Sequence, residues 1–223
     1  MKLAIFGGTG TVGTALVSQA LDAGHQIRLL ARTPSKVARS HRRLSVVAGD
    51  ARDAAAVSDT IAGSDAVLTA LGGVRDSDSI RIGTAAIAAA MAADGVHRLI
   101  VMQGFHLDFP GDPHNAGRRM ILPLLWLASR DLIADSRAMA TQVQASTLEW
   151  TVVRAPRVVA GPRTGGYRTG ILRLGPWNTV TNSDVADFML RCLDDPTTIG
   201  TAPMIAAGRR RSTRRIAGIT AGR

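Results

Sequence analysis

The sequence predicts an α/β fold, a doubly wound parallel sheet with helices on both faces and a small C-terminal region beside it. Three observations carry this. Short β-rich runs alternate with longer stretches of helical period, the pattern of successive βαβ units. Hydrophobic residues make up 46% of the chain but aromatics only 4%, so the core is built from Ala, Val, Leu and Ile, as suits small-residue helices laid on a parallel sheet. A glycine-rich turn, residues 7–13, follows the first apolar run directly and opens the first helical pattern.

Strands are expected near 2–6, 26–31, 44–48, 66–71, 98–103 and 149–155, with helices near 11–23, 34–40, 53–62, 77–94 and 117–146. Gly24 and Gly95 fall where two of these helices must end, as residues free to adopt positive φ. Past residue 103 the rhythm loosens. One loop, 105–115, contains Pro110, Gly111 and Pro113, and a second, 161–175, contains five glycines. Both follow strand ends, where an open parallel sheet binds its ligands. A last helix begins after Asn182 or Ser183, either of which is a suitable cap. Residues 1–206 are expected to form a single unit, with 1–103 as one half and 104–206 as the other; 207–223 is an Arg-rich tail expected to be flexible.

The net charge of +10 resembles a nucleic-acid footprint until its location is considered. Residues 209–223 carry six Arg and no acid, and the rest of the chain is ordinary in charge. Nucleic acid is therefore not the expected partner. The single cysteine, Cys192, excludes an internal disulfide and gives no metal-ligand spacing; it reads as a small buried hydrophobe near a helix end. The glycine turn stands too close to Met1 for a secretory leader, and the most apolar later stretch, 120–128, is too short to cross a bilayer. These features predict a cytoplasmic protein with no metal and no membrane association.

Gly8-x-Gly10-x-x-Gly13 and the overlapping Gly7-x-x-Gly10-x-x-Gly13 fit the dinucleotide fingerprint in the context its mechanism requires, between a strand and a helix. The glycines permit a tight turn and close approach of backbone to a pyrophosphate, which meets free N–H groups at the helix N-terminus. The second strand ends Leu30-Ala31-Arg32, with Lys36 shortly after. A carboxylate here would bind a free ribose 2′-hydroxyl and repel a phosphate, whereas a guanidinium favours the phosphate. The reading is a Rossmann-like domain holding NADP(H) in preference to NAD(H).

These motifs, with Val47-Ala48-Gly49-Asp50, Ala70-Leu71-Gly72-Gly73, Trp150-Thr151-Val152-Val153-Arg154-Ala155-Pro156 and Ser183-Asp184-Val185-Ala186-Asp187-Phe188, resemble the atypical short-chain dehydrogenase/reductase group of NAD(P)H-binding proteins. That group includes the biliverdin reductase B and flavin reductase type and the NmrA-like type. The resemblance implies that Gly7, Thr9, Gly10, Thr11, Val12 and Gly13 cradle the pyrophosphate and that Arg32 and Lys36 grip the ribose end. By the same likeness Asp50 and Ala51 border the adenine, Leu71, Gly72 and Gly73 the adenosine ribose and pyrophosphate, and Gln103 and Pro156 the nicotinamide end.

The chain also departs from the pattern. Typical short-chain dehydrogenases pass a proton through Tyr-x-x-x-Lys, but the only tyrosine here, Tyr167, is followed four residues on by Ile171, and no Lys occurs after Lys36. Where relatives often place Ser or Thr at the end of the fifth strand, this chain has Gln103-Gly104, and Arg157 stands where biliverdin reductase B-like proteins have a histidine. His106, Asp108, Arg157 and Tyr167 are the remaining candidates for a catalytic acid, and His106 and His114, which flank the proline-rich loop, are candidates to touch the substrate against the reading of a solvated loop. Asp184 and Asp187 are accounted for by the helix dipole alone. The expected function is an NADPH-dependent oxidoreductase that passes hydride to a flavin, quinone, enone or similar small acceptor. An apolar pocket of Phe105, Leu107, Phe109 and Trp126 would suit it; the other reading of these residues is simply core. The alternative is a non-catalytic NADP(H) sensor of the NmrA-like kind.

Overall fold

A computed structural model describes residues 1–72, 78–112, 123 and 130–208. The glycine turn follows β1 (Lys2–Phe6) and leads into α1 (Thr11–Asp22); next come β2 (Gln26–Ala31), β3 (Leu44–Ala48), α2 (Ala54–Ile61), β4 (Ala66–Thr69) and α3 (Asp78–Asp94). The second half supplies β5 (Arg98–Gly104), α4 (Arg130–Ala145), β6 (Glu149–Ala155), β7 (Arg157–Val159), β8 (Tyr167–Gly170), β9 (Thr179–Thr181), α5 (Asn182–Asp194) and β10 (Met204–Ala207).

Eight strands form the main sheet in the order β3-β2-β1-β4-β5-β6-β10-β8, parallel throughout except for β8, which runs antiparallel to β10. Side chains alternate between its faces. Leu3 and Ile5 of β1 pack with Leu16, Val17, Val185 and Met189 of α1 and α5, while Ala4 and Phe6 pack with Val57, Ile61, Ile87 and Met91 of α2 and α3. The sheet is thus buried on both sides, which explains why its strands read as nearly continuous apolar runs. β7 and β9 pair in parallel as a separate two-stranded sheet, with Arg157 beside Thr179.

Gly24 and Gly95 take positive φ, 91° and 66°, and close their helices as expected. The helix anticipated at 34–40 is reduced to one 3-10 turn, Pro34–Lys36, after which Val37 is extended. None of the three turn residues is buried, so no packing offsets the cost of propagating a helix. Of the helix expected over 117–146, the described part is Arg130–Ala145. α5 is capped one residue earlier than expected: the Thr181 hydroxyl accepts from Asp184 N, and Asn182 is free for another task. The 161–175 loop contains a strand, β8. Among the described residues no helix is long and apolar enough to cross a membrane.

Candidate cofactor cleft and acceptor end

The strand order reverses between β1 and β4, and a cleft opens there at the carboxyl ends of the strands, where open α/β sheets hold ligands. Gly7, Thr9 and Gly10 line it from the first turn; Arg32 comes from the end of β2; Asp50 and Ala51 follow β3; and Leu71 and Gly72 follow β4. Eight of the residues anticipated from sequence therefore share one wall system. Gly49 and Ala70, from the motifs quoted above, and Phe6, Leu30 and Ala31 complete it. Phe6 and Leu30 are apolar strand-end residues, which carry no chemical signature in the sequence.

The glycines do different work. Gly7 has φ 77°, and a β-carbon on it would stand 2.5 Å from the Ala70 carbonyl oxygen. A β-carbon on Gly13 would stand 2.0 Å from the Gly7 carbonyl oxygen, so this glycine lets α1 close onto β1. Gly10 has ordinary extended backbone (φ −81°), and a β-carbon there would meet nothing nearer than Gly7 O at 3.3 Å. Its bare side is open. Thr11, Val12 and Gly13 form the first turn of α1, with Val12 and Gly13 buried and Thr11 exposed. No side chain caps this helix and no acid lies in its first turn, whereas Asp53 caps α2 and Thr181 caps α5. Free amide donors, a glycine surface without β-carbons and a cleft in front of them suit a pyrophosphate.

On the β2–β3 side of the cleft Asp50 accepts from the Arg52 backbone and guanidinium, the latter at 2.9 and 3.0 Å. That contact, with a smaller contribution from the charge of Arg32, holds its carboxyl below the usual range. The Asp50 charge is thus already engaged by Arg52, and the basic residue that lines the cleft beside it is Arg32. Lys36 is exposed on its 3-10 turn. Gly73, His114 and Trp126 lie outside the described residues.

The ends of β5 and β6 are arranged less as expected. Gln103 is buried, with its carbonyl oxygen accepting from Gly104 N and, at 3.5 Å, from the Ser136 hydroxyl of α4; its side chain is turned to that helix. The His106 imidazole covers Gly104 so closely that a β-carbon there would meet Nδ1 at 2.4 Å. Its Nε2 is buried without a hydrogen-bond partner. Burial, helped by the charge of Arg137, pushes the His106 pKa down. Asp108 and Arg157 are exposed, and Pro156 is buried between β6 and β7. Leu107 and Phe109 belong to the core cluster under α3 and α4, while Phe105 packs with Leu174, Met204 and Ala206. The expected grouping of Phe105, Leu107 and Phe109 around one pocket is therefore not formed.

Tyr167 is committed elsewhere. Its hydroxyl donates to Asp187 Oδ2 at 2.5 Å, and burial together with this bond pushes its pKa far up. Asp187 also pairs with Arg163 (2.7 Å) and Arg191 (3.0 Å). Asp184 accepts from Thr164 N, Thr164 Oγ1 and Gly165 N; burial opposes ionisation, yet these bonds keep its carboxyl below the usual range. Both acids are buried tethers for the 161–170 segment, beyond the helix-dipole role the sequence suggested.

The model of an NAD(P)H-binding family matches residues 7–196, a span that runs from the first glycine through α5. The chain belongs to the NAD(P)H-binding family. Solved structures with the fold of this family include the oxidoreductase ylbE from Lactococcus lactis (21% identity, TM-score 0.77, covering 93% of this chain and 91% of that one). Another is a wide-type short-chain dehydrogenase/reductase from Veillonella parvula in complex with NADP (18% identity, TM-score 0.74, 94% and 95% covered). Among curated proteins, the (4-alkanoyl-5-oxo-2,5-dihydrofuran-3-yl)methyl phosphate reductase of Streptomyces griseus subsp. griseus is 27% identical over 206 residues, 92% of this chain and 63% of that protein. The 3 beta-hydroxysteroid dehydrogenase/Delta 5-->4-isomerase of Mycobacterium tuberculosis is 38% identical over 86 residues, 36% of this chain and 23% of that protein. The chain thus spans less than two thirds of the length of these curated relatives. Family membership explains why the glycine turn, the β2 end and the segment after β4 converge on one cleft.

Proposed function

We propose that the chain is a cytoplasmic NADPH-dependent reductase of a small conjugated acceptor, such as a flavin, quinone or enone, that works without a dedicated protein acid. The observation that carries this reading is the cleft at the switch point, with an uncapped helix N-terminus on one side and the Arg32 lip on the other. The first suits a pyrophosphate and the second a ribose 2′-phosphate. Gly7, Gly10 and the amides opening α1 would hold the pyrophosphate; Arg32 the 2′-phosphate; Asp50 and Ala51 the adenine side. The cofactor supplies a hydride when bound.

This chain's residues contribute placement. Phe105, Leu174 and Pro156, all buried, wall the ends of β5, β6 and β10 and hold the acceptor's approach fixed, so that rate comes from proximity and orientation. Hydride and one proton together reduce the acceptor, and the proton comes from water, because the Tyr167 proton is engaged by Asp187. The likeness to a reductase over nearly the whole chain supports catalysis. One observation favours the alternative of a non-catalytic NADP(H) sensor: Gln103 and Tyr167 are both turned to structural partners. NADPH oxidation by the purified protein across flavins, quinones and enones separates the two. Turnover well above the buffer rate supports the reductase; tight NADPH binding without turnover supports the sensor.

A further inference from the structure

The segment from β6 to α5 is unbalanced in charge. Residues 155–182 contain four Arg, at 157, 163, 168 and 173, with no Asp, Glu or Lys. The buried acids beneath this segment neutralise little of it. Asp184 is consumed by the backbone and hydroxyl of Thr164 and by Gly165. Asp187 takes Arg163 but is shared with Arg191 and the Tyr167 hydroxyl. Of the two acids in the neighbouring 105–112 loop, Asp112 is held by buried Arg154, and exposed Asp108 is engaged in a contact that does not involve the three remaining arginines. Arg157, Arg168 and Arg173 are exposed and make no ion pair with any described residue.

Their placement follows from register. Arg157 opens β7 immediately after Pro156 and lies beside Thr179 of β9. Arg168 lies beside Ala206, near the carboxyl end of β10. Arg173 precedes Leu174, which packs on Phe105 at the end of β5. All three therefore stand around the carboxyl ends of β5, β6 and β10, the acceptor side of the crevice. The same connection presents an aromatic surface. Gly175 and Asn178 clasp each other, Asn178 N donating to Gly175 O at 3.1 Å and Gly175 N to Asn178 Oδ1 at 2.7 Å, and this pinned turn holds Trp177 90% exposed.

We infer that the acceptor taken at this end is a planar molecule carrying an anionic group, phosphate, sulfonate or carboxylate, its charge met by Arg157, Arg168 and Arg173 and its ring by Trp177. This deepens the reductase reading and rests on it for the word acceptor. Guanidinium forks match such anions in geometry as well as charge, and a one-sign patch on a crevice raises the local concentration of a ligand of opposite sign.

The test uses the full chain saturated with NADP+, so that the cofactor cleft is filled and no turnover occurs. Binding is measured by calorimetry for two matched pairs, flavin mononucleotide against riboflavin and a naphthoquinone sulfonate against the parent naphthoquinone. The anionic member of at least one pair should bind about tenfold tighter. The preference should fall to about twofold in the Arg157→Gln, Arg168→Gln, Arg173→Gln triple variant, and also in high salt, which screens exposed charges. NADP+ affinity should stay unchanged, showing that the variant is folded. Because the Arg-rich tail is intact in both proteins, attraction to the tail would survive in the variant. A preference that survives, or no preference in either pair, including no binding by both members, overturns the inference. The same four compounds are then assayed with NADPH. Charge-selective binding without turnover leaves the inference standing and removes the reductase reading.

Discussion

Arg154 of β6 and Asp112, in the segment that follows β5, form a buried two-pronged ion pair. One guanidinium nitrogen bonds Asp112 Oδ1 at 2.7 Å and the other meets Oδ2. Arg154 is 1% exposed; two further donors go to the carbonyls of Leu107 and Ala202, and its guanidinium lies 5.0 Å from the centre of the Phe109 ring. The pair fastens the 105–112 segment to the sheet. Asp112→Ala leaves this guanidinium buried without its counter-ion, at a cost of about 3–5 kcal/mol. The expected result is a melting temperature lower by roughly 10 °C for a chain of this size, with an unchanged NADPH affinity at 20 °C, since no residue of the glycine cleft touches the pair. A melting temperature equal to the parent's would show that the contact contributes nothing.

Arg32 should set the cofactor preference. NADPH is expected to bind about ten- to a hundredfold more tightly than NADH, the value of a charge-assisted contact of about 1.5–3 kcal/mol. Arg32→Ala should remove most of that difference while leaving NADH affinity unchanged. Equilibrium titration of tryptophan fluorescence reads both. Equal affinities in the parent protein would refute the assignment.

The glycine turn makes two contrasting predictions. Gly10→Val has an ordinary φ to adopt and only one carbonyl nearby, so the fold should survive while the branched side chain fills the space before the helix amides and abolishes cofactor binding. Gly13→Ala collides with the Gly7 carbonyl at 2.0 Å and should lower both stability and binding. Thermal melts and calorimetry on the two proteins distinguish the roles, and a normal melt for Gly13→Ala would contradict the close packing of α1 on β1.

Tyr167→Phe should lower turnover by less than about tenfold, or roughly 1.4 kcal/mol of barrier, because the hydroxyl proton is held by Asp187. It should cost about 1.5–3 kcal/mol in stability, because the lost hydrogen bond is to a charged carboxylate. A thousandfold loss of turnover at unchanged NADPH affinity would make Tyr167 the catalytic acid after all.

His106 gives the protein a defined response to acid. Its folded pKa lies below the unfolded value of 6.5, so between the two the unfolded chain binds the extra proton and stability rises with pH. The contribution is complete above about pH 6.5 and lost as pH falls through the folded pKa. Arg137 of α4, whose charge acts in the same direction, adds to it. His106→Asn should therefore flatten the fall in melting temperature between pH 7.5 and pH 5. An identical slope in the variant would assign the acid sensitivity to other groups, His25 among them, whose pKa is also lowered by burial.

The cofactor half was legible because its chemistry is local. The glycine turn, Arg32, Asp50 and Leu71-Gly72 each announce themselves within a few residues, and parallel pairing of β1 with β2 and β4 brings their ends together. The acceptor half depends on contacts between distant residues, which periodicity does not reveal. Nothing near Gln103 in sequence points to Ser136, and nothing near Tyr167 points to Asp187. Phe109 reads as a pocket wall in an irregular loop, but it is core because Trp150 and Arg154 meet it. The strand at Tyr167–Gly170 is hidden by its flanking glycines and shows itself only beside β10.

Apart from Asp187, whose partners are the side chains of Tyr167, Arg163 and Arg191, the tethers of the segment between β7 and α5 grip main chain more than side chain. Asp184 holds the amides of Thr164 and Gly165, Asn182 accepts from the amide of Gly161 while its own amide donates to the carbonyl of Thr11, and Asn178 holds the amide of Gly175. An anchor of this kind is blind to the identity of most residues it fixes. Exposed positions such as 157, 168, 171, 173 and 177 can therefore be exchanged without loosening the frame that carries them. One unchanged cofactor cradle can in this way serve a succession of different partners in chemistry, each reached by exchanging a few surface side chains.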